Sequence, residues 1–197
     1  SSFQVVFSQS KVAYCFDFGG AFQKIAPGYL PVSRVYHSPN YLWIDNVTEV
    51  SRQECSDPLL RDFVSGKKGE IWVGLTKGDY LVTLFLYDHS ENHGPFDIYL
   101  QDKKVKSGVV INKRELTKLE LSAEVIDSTL RIKFIAGEGK TFCVNGMVIS
   151  SDQNASLVKI FKDVPDVGLP SVEEVIQKGS PDAKNALKQI CDWFISQ

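Results

Sequence analysis

A succession of short segments with a period of two is what most constrains the fold of this chain. Ile71, Val73 and Leu75 alternate with Trp72 and Gly74. Tyr80–Tyr87 is the strongest strand pattern, rich in β-branched and aromatic residues. Phe96, Ile98 and Leu100 alternate with Asp97, Tyr99 and Gln101. Leu119 and Leu121 alternate with Glu120 and Ser122, and Leu130, Ile132 and Phe134 with Arg131, Lys133 and Ile135. Successive side chains of a strand point to opposite faces, so each segment has one face for a core. Thr76-Lys77-Gly78-Asp79, Asp102-Lys103-Lys104 and Gly137-Glu138-Gly139-Lys140 carry turn chemistry between the segments. Val12–Phe18 opens the series and Phe142–Ile149 closes it as apolar runs. Such a series predicts an all-β fold, an antiparallel β-sandwich or jelly roll, over residues 1–155.

The remainder has a different character. Residues 156–170 read as a linker, with Pro and Gly concentrated in Asp163–Pro170. Residues 171–197 read as a helical tail. Ser171 and Glu174 form a capping box, Gly179 stops the first helix, and Ser180-Pro181 starts a second. Ala183, Ala186, Leu187, Ile190 and Phe194 make an apolar stripe at helical spacing. That stripe either docks on the sandwich or leads to a further module. At 197 residues, 43% of them hydrophobic, the chain has material for one sandwich and this appendage.

Charge and motifs exclude several functions. A net charge of −2 gives no electrostatic reason to expect nucleic acid or an anionic membrane as partner. No run of about 18 apolar residues exists to span a bilayer. The sequence lacks Gly-x-Ser-x-Gly, HExxH and a phosphate loop, so catalysis finds little support and no cofactor is required. Cys15, Cys55, Cys143 and Cys191 form no CxxC pair, and Cys15 and Cys143 lie in apolar runs as small hydrophobes. Asn46-Val47-Thr48 and Asn154-Ala155-Ser156 match the glycosylation triplet, which has meaning only in a secreted eukaryotic protein.

Two segments carry candidate binding chemistry. Between Gly19 and Trp43 runs a long loop containing Pro27-Gly28-Tyr29 and ending in the aromatic cluster Tyr36, Tyr41 and Trp43. Long loops bearing aromatics on a β scaffold recognise ligands, and flat rings suit the C–H face of a sugar. The same rings can instead plug the end of the sandwich. Asp88-His89-Ser90-Glu91-Asn92-His93-Gly94 is the densest polar cluster. Asp88, His89, Asn92 and His93 have donors and acceptors suited to sugar hydroxyls. They can equally belong to a plain solvated loop. Zinc is disfavoured: His89 and His93 share a face only on a helix, which Gly94-Pro95 argues against.

Phe16-Asp17-Phe18-Gly19, Pro27-Gly28-Tyr29 and Asn40-Tyr41-Leu42-Trp43, in that order, resemble the opening of galactose-binding-like β-sandwich modules. Arg61-Asp62-Phe63-Val64, Trp72-Val73-Gly74-Leu75, Lys77-Gly78-Asp79-Tyr80-Leu81-Val82 and the strand from Phe142 to Ile149 extend the resemblance over roughly residues 12–150. Such modules accompany rhamnogalacturonan acetylesterases, polysaccharide lyases and glycoside hydrolases, and malectin is similar. The chain departs from the pattern at Asn40-Tyr41-Leu42-Trp43, where the family often has Gly-Tyr-Gly-Trp, and at Tyr87-Asp88-His89, where it often has a Gly-Asp pair after the long strand.

The resemblance implies a non-catalytic carbohydrate-binding module beside a catalytic module of the same polypeptide, in an extracellular or periplasmic setting. Its partner would be a poly- or oligosaccharide. It also implies a structural calcium, to which Asp17, Asp45 and Asp62 would contribute. A bracing domain that binds no glycan is the first alternative, and a hydrolase with a loop-borne carboxylate dyad is the second.

Overall fold

The computed structural model describes residues 11–34, 38–45, 47–151 and 155–161. Tyr36, the asparagines Asn46 and Asn154 of the two glycosylation triplets, most of the linker, Cys191 and the helical tail lie outside the described residues. Within them, the alternating segments become strands. β1 is Lys11–Phe18, β6 is Lys68–Gly74, β7 is Gly78–Leu86, β8 is His93–Leu100, β10 is Thr117–Val125 and β11 is Thr129–Ala136. The loop-like stretch before them adds β2 (Leu30–Val32), β3 (Tyr41–Trp43), β4 (Thr48–Ser51), the short helix α1 (Pro58–Arg61) and β5 (Asp62–Gly66). β9 is Lys103–Ile111, β12 is Phe142–Val144 and β13 is Gly146–Ser151.

Two five-stranded sheets face each other across the core. One has the order β10-β7-β13-β1-β2 and the other β3-β6-β11-β8-β9, with a three-stranded sheet β12-β5-β4 beside them. Pairing is antiparallel except between β1 and β2. Alternation does its expected work in β7, where Tyr80, Val82, Leu84 and Leu86 are buried and their neighbours are not. Phe16, Phe18, Ile71, Val73, Ile98, Leu130, Ile132, Phe134, Met147 and Ile149 fill the space between the sheets. Phe134 stacks on Phe142 at 5.1 Å, which ties the third sheet into the same core. Cys15, Cys55 and Cys143 are free, and burial pushes the Cys143 thiol far above its usual range.

The apolar run 142–149 is two strands, not one. Asn145 breaks it and is fully buried. Its side chain donates to Leu60 O and Asp62 O and accepts from Tyr87 N–H. Those bonds replace the ladder pairing lost where the chain passes from one sheet to the next. The turn at 137–140 likewise leads from β11 into a different sheet rather than closing a hairpin.

Strand registers define the two ends of the sandwich. Asp17 faces Gly146, Gly146 faces Phe85, and Ala136 faces Phe96. The loops after β1, after β7 and before β5 therefore share one end. Lys11 faces Ser151, whose hydroxyl donates to Asp79 O, at the opposite end. The segment 155–161 crosses that opposite region: Val158 N–H donates to Gly74 O, and a Cβ on Gly74 would collide with Val158 O.

Candidate functional site

Asp88 lies two residues past the end of β7 and is fully buried, so it must be paired. Arg52, in the loop after β4, donates Nε and Nη2 to its two oxygens at 2.9 Å each. His93 Nε2 lies 2.8 Å from Asp88 Oδ2, and Ser90 N–H donates to Oδ1 at 2.8 Å. His93 Nδ1 meets Thr141 Oγ1 at 2.9 Å, so both ring nitrogens are engaged. The guanidinium also lies over Phe63, 5.6 Å from the ring centre. Burial alone would raise the Asp88 pKa, but the bonds from Arg52, His93 and Ser90 outweigh it and hold the carboxyl down at about 2.

A folded-state pKa below the ordinary 3.8 means that this group stabilises the fold above pH ~4. The contribution, about 2 kcal/mol, is lost as pH falls through about 2. Denaturation of the wild type at pH 5 and pH 2.5 should show that loss. Asp88→Asn should show a shallower dependence between the same two values.

A second polar cluster sits beneath the loop that leaves β1. Gly19 and Gly20 turn the chain, and Phe22 at the loop tip is 100% exposed. Asp17 lies between the core residues Phe16 and Phe18 and is itself fully buried. Its Oδ2 accepts Ala26 N–H at 2.7 Å, while Oδ1 has no partner. Asp62, at the start of β5, is 2% exposed and its Oδ2 has no partner either. A Cβ on Gly19 would collide with Gln23 Oε1 and Asp62 Cβ, which places both against the same glycine. Gln23 Oε1 is also buried and without a partner. Burial, followed by the nearby charges of Asp62 and Asp57, raises the Asp17 pKa to about 7 against the pull of the Ala26 N–H. Burial raises Asp62 as well.

The sequence expectations separate on this scaffold. Asp88 and His93 come together, but as an internal ion-paired hub with no unpaired oxygen or nitrogen to offer a ligand. His89 and Asn92 lie on the same loop with more exposure; His89 Nδ1 meets Tyr87 Oη at 3.2 Å, and Asn92 Oδ1 accepts Lys113 N–H. Trp43 is 5% exposed, packed edge-on against Phe18 and tilted against Phe134. It fills the core and presents no face. Tyr41 packs edge-on against Phe16 at 5.0 Å, and its backbone is opposite Val73, toward the other end of the sandwich. Among the described residues, Tyr41 and Trp43 therefore do not form one platform with the polar groups.

Asp45 is not among the groups against Gly19 or the charges acting on Asp17; one of its oxygens pairs with Lys68 at 3.3 Å. The calcium expectation narrows to Asp17 and Asp62, and Gln23 joins them. No group of three or more His, Cys, Asp or Glu among the described residues is placed to hold a metal. The donors at Gly19 are instead two carboxylates and an amide oxygen, an all-oxygen set that fits a hard cation such as calcium and not zinc.

Phe22 and Gln23 were not legible as site residues. The signal available was a large aromatic two residues after a Gly-Gly turn that itself follows an acid flanked by two core phenylalanines. Elsewhere, a groove of about 440 Å³ lies at the opposite end, lined by Leu100, Gln101, Lys103, Glu124 and Arg131 among others. Gln101 and Arg131 are already engaged there: the Gln101 amide donates to Thr129 O and accepts Arg131 N–H, and the Arg131 side chain pairs with Asp127.

No family model and no curated protein matches the chain. Solved structures do. The receptor-like kinase ANX1 of plants is similar over 73% of this chain and 50% of its own, with a TM-score of 0.58 and 10% identity. A calcium-binding mutant of β-glucuronidase 2 from Bacteroides uniformis is similar over 70% of this chain and 18% of its own, with a TM-score of 0.56 and 16% identity. The protein YXIM of Bacillus subtilis is similar over 71% of this chain and 40% of its own, with a TM-score of 0.51 and 21% identity. These likenesses establish the β-sandwich fold. The chain spans at most half the length of these three neighbours.

Proposed function

We propose that this chain is a non-catalytic carbohydrate-binding module of a larger carbohydrate-active enzyme, with its glycan face at the Phe22 end of the sandwich. The observation that carries this reading is the fully exposed Phe22 ring on a glycine-started loop. A lone apolar ring held in water by a structured loop gains by covering one face with a sugar's C–H groups. His89 and Asn92, on the loop after β7 at the same end, supply polar contacts. Sugar hydroxyls exchange water bonds for protein bonds at small net gain, so affinity is modest and targeting relies on a linked catalytic module. The resemblance of the sequence to modules of polysaccharide-processing enzymes supports the same reading, as does a fold shared with a part of a glucuronidase.

Affinity electrophoresis through gels containing plant and animal polysaccharides tests this. One glycan should retard the wild type, and Phe22→Ala should weaken that retention about tenfold or more, equivalent to roughly 1.4 kcal/mol. Its melting temperature should stay within about 2 °C of wild type, because an exposed ring contributes little to the core. The burial of Trp43 favours a second reading, a domain that braces a catalytic neighbour and binds no sugar. Absence of retardation by every glycan, with the protein folded, selects that reading instead.

A further inference from the structure

Gln23 joins the Phe22 loop to the acids beneath it. Its Nε2 donates to Asp17 O at 3.1 Å. That bond fixes the amide orientation, since reversing it would set two carbonyl oxygens against each other. Oε1 therefore faces Gly19 and Asp62, buried and without a donor. The two acids repeat the pattern. One oxygen of Asp17 is anchored by Ala26 N–H, and the Ser51 hydroxyl lowers the Asp62 pKa against the burial that raises it. The other oxygen of each is buried and unpartnered.

Three acceptors of one neighbourhood thus lack a hydrogen, and a single water has only two to give. The charge is equally one-sided. Asp57 adds to the negative field at Asp17, and Glu49 Oε2 lies in van der Waals reach of a Cβ on Gly20. Arg61 acts on Asp62 from a distance while its Nε donates to Cys55 O. Two buried carboxylates beside each other need a cation or a shared proton.

We propose that Asp17, Asp62 and Gln23 hold one divalent cation of calcium's size and chemistry, and that this cation latches the Phe22 loop to the sandwich. Asp17 belongs to β1 and Asp62 to β5, so they form the fixed part of the site. Gln23 is the ligand carried by the loop, one residue from the exposed ring. Calcium takes about six to eight oxygens, and the places these three leave open fall to main-chain carbonyls, water or ligand hydroxyls. Binding therefore costs the loop its freedom before the glycan arrives, which strengthens glycan capture. The cation site stands on these residues alone; the benefit to capture rests on the reading of Phe22 as the glycan face.

The test uses the whole chain, treated with chelator and desalted. Calcium chloride is titrated by calorimetry, with magnesium chloride as the comparison, and melting is followed with and without calcium. One calcium should bind per chain, and a hundredfold excess over Kd should raise Tm by several degrees. Asp17→Asn and Asp62→Asn should abolish that binding, and Gln23→Ala should weaken it at least tenfold. Gln23 is half-exposed, so its variant stays informative if the acid variants fail to fold. Phe22→Trp reads the latch directly: calcium should shift its fluorescence relative to wild type, and adding Gln23→Ala should remove the shift.

A chain that takes up no calcium overturns the site. Higher melting of Asp17→Asn than wild type in chelator would then identify a shared proton between the acids. Calcium uptake that Gln23→Ala leaves unchanged, or that leaves Phe22→Trp emission unmoved, overturns the latch. None of these readouts involves sugar, so the glycan reading keeps its own independent test.

Discussion

Arg52→Met is expected to destabilise this domain by about 3–5 kcal/mol, more than any change to an exposed charge. The reason lies in the asymmetry of the pair. Asp88 has no exposure at all, while the Arg52 side chain keeps 21% of its own. Methionine replaces most of the aliphatic stem but leaves Asp88 with a histidine and one backbone N–H. A buried carboxylate that loses a bidentate partner retains the full cost of its desolvation. Urea titration checks this: the midpoint should fall with little change in slope. Adding Asp88→Asn should restore part of the loss by removing the stranded charge. A loss under about 1 kcal/mol for Arg52→Met would mean that the bonds from His93 and Ser90 satisfy Asp88 without Arg52, against the picture of a hub centred on Arg52.

Trp43→Ala should cost about 3–5 kcal/mol, or on the order of 10 °C in Tm, through an unfilled volume in the core. The indole packs at 5.3 Å from Phe18 and 6.3 Å from Phe134, linking both main sheets. Its buried N–H has no partner, so no acceptor is orphaned by its removal and the cost is one of packing. Phe22→Ala provides the contrast, with a small effect on melting. Near-UV circular dichroism and melting of the two variants separate them. Equal and small losses for both would show that Trp43 does not occupy the core. This contrast also bears on glycan assays: weakened binding by Trp43→Ala reports a damaged fold before it reports a lost contact.

The strands were legible where one face is wet and the other dry. β7 and β11 show that alternation residue by residue, and their ends fall close to the turn residues. β9 left no such mark, because Lys103–Gly108 runs along an open edge with nearly every side chain exposed. Polar edge strands carry no period, and lysines there discourage pairing with other chains. The division at Asn145 was hidden by apolar neighbours on both sides, although an Asn-Gly pair inside such a run marks a break in the ladder. The site was less legible than the fold. Aromatic residues in a loop segment pointed to exposure, yet Trp43 belongs to a strand and has core neighbours on each side. Phe22 was passed over because exposure depends on which loops surround a position, and sequence spacing does not contain that. Asp17 carried a usable signal, an acid between two phenylalanines that are both fully buried.

The crossing of residues 155–161 beside Gly74 has a mechanical consequence. Lys11, where the described chain begins, and the 155–161 segment both attach at the end away from the Phe22 loop. Anything joined before Lys11 or after Phe161 pulls on that end, and the pull is carried by β1 and β13 lying side by side in one sheet. The Phe22 loop lies at the other end from both attachment points, like the working end of a tool gripped by its handle. The load would be borne by a pair of central strands rather than by the loop, so traction along the chain would not distort the face.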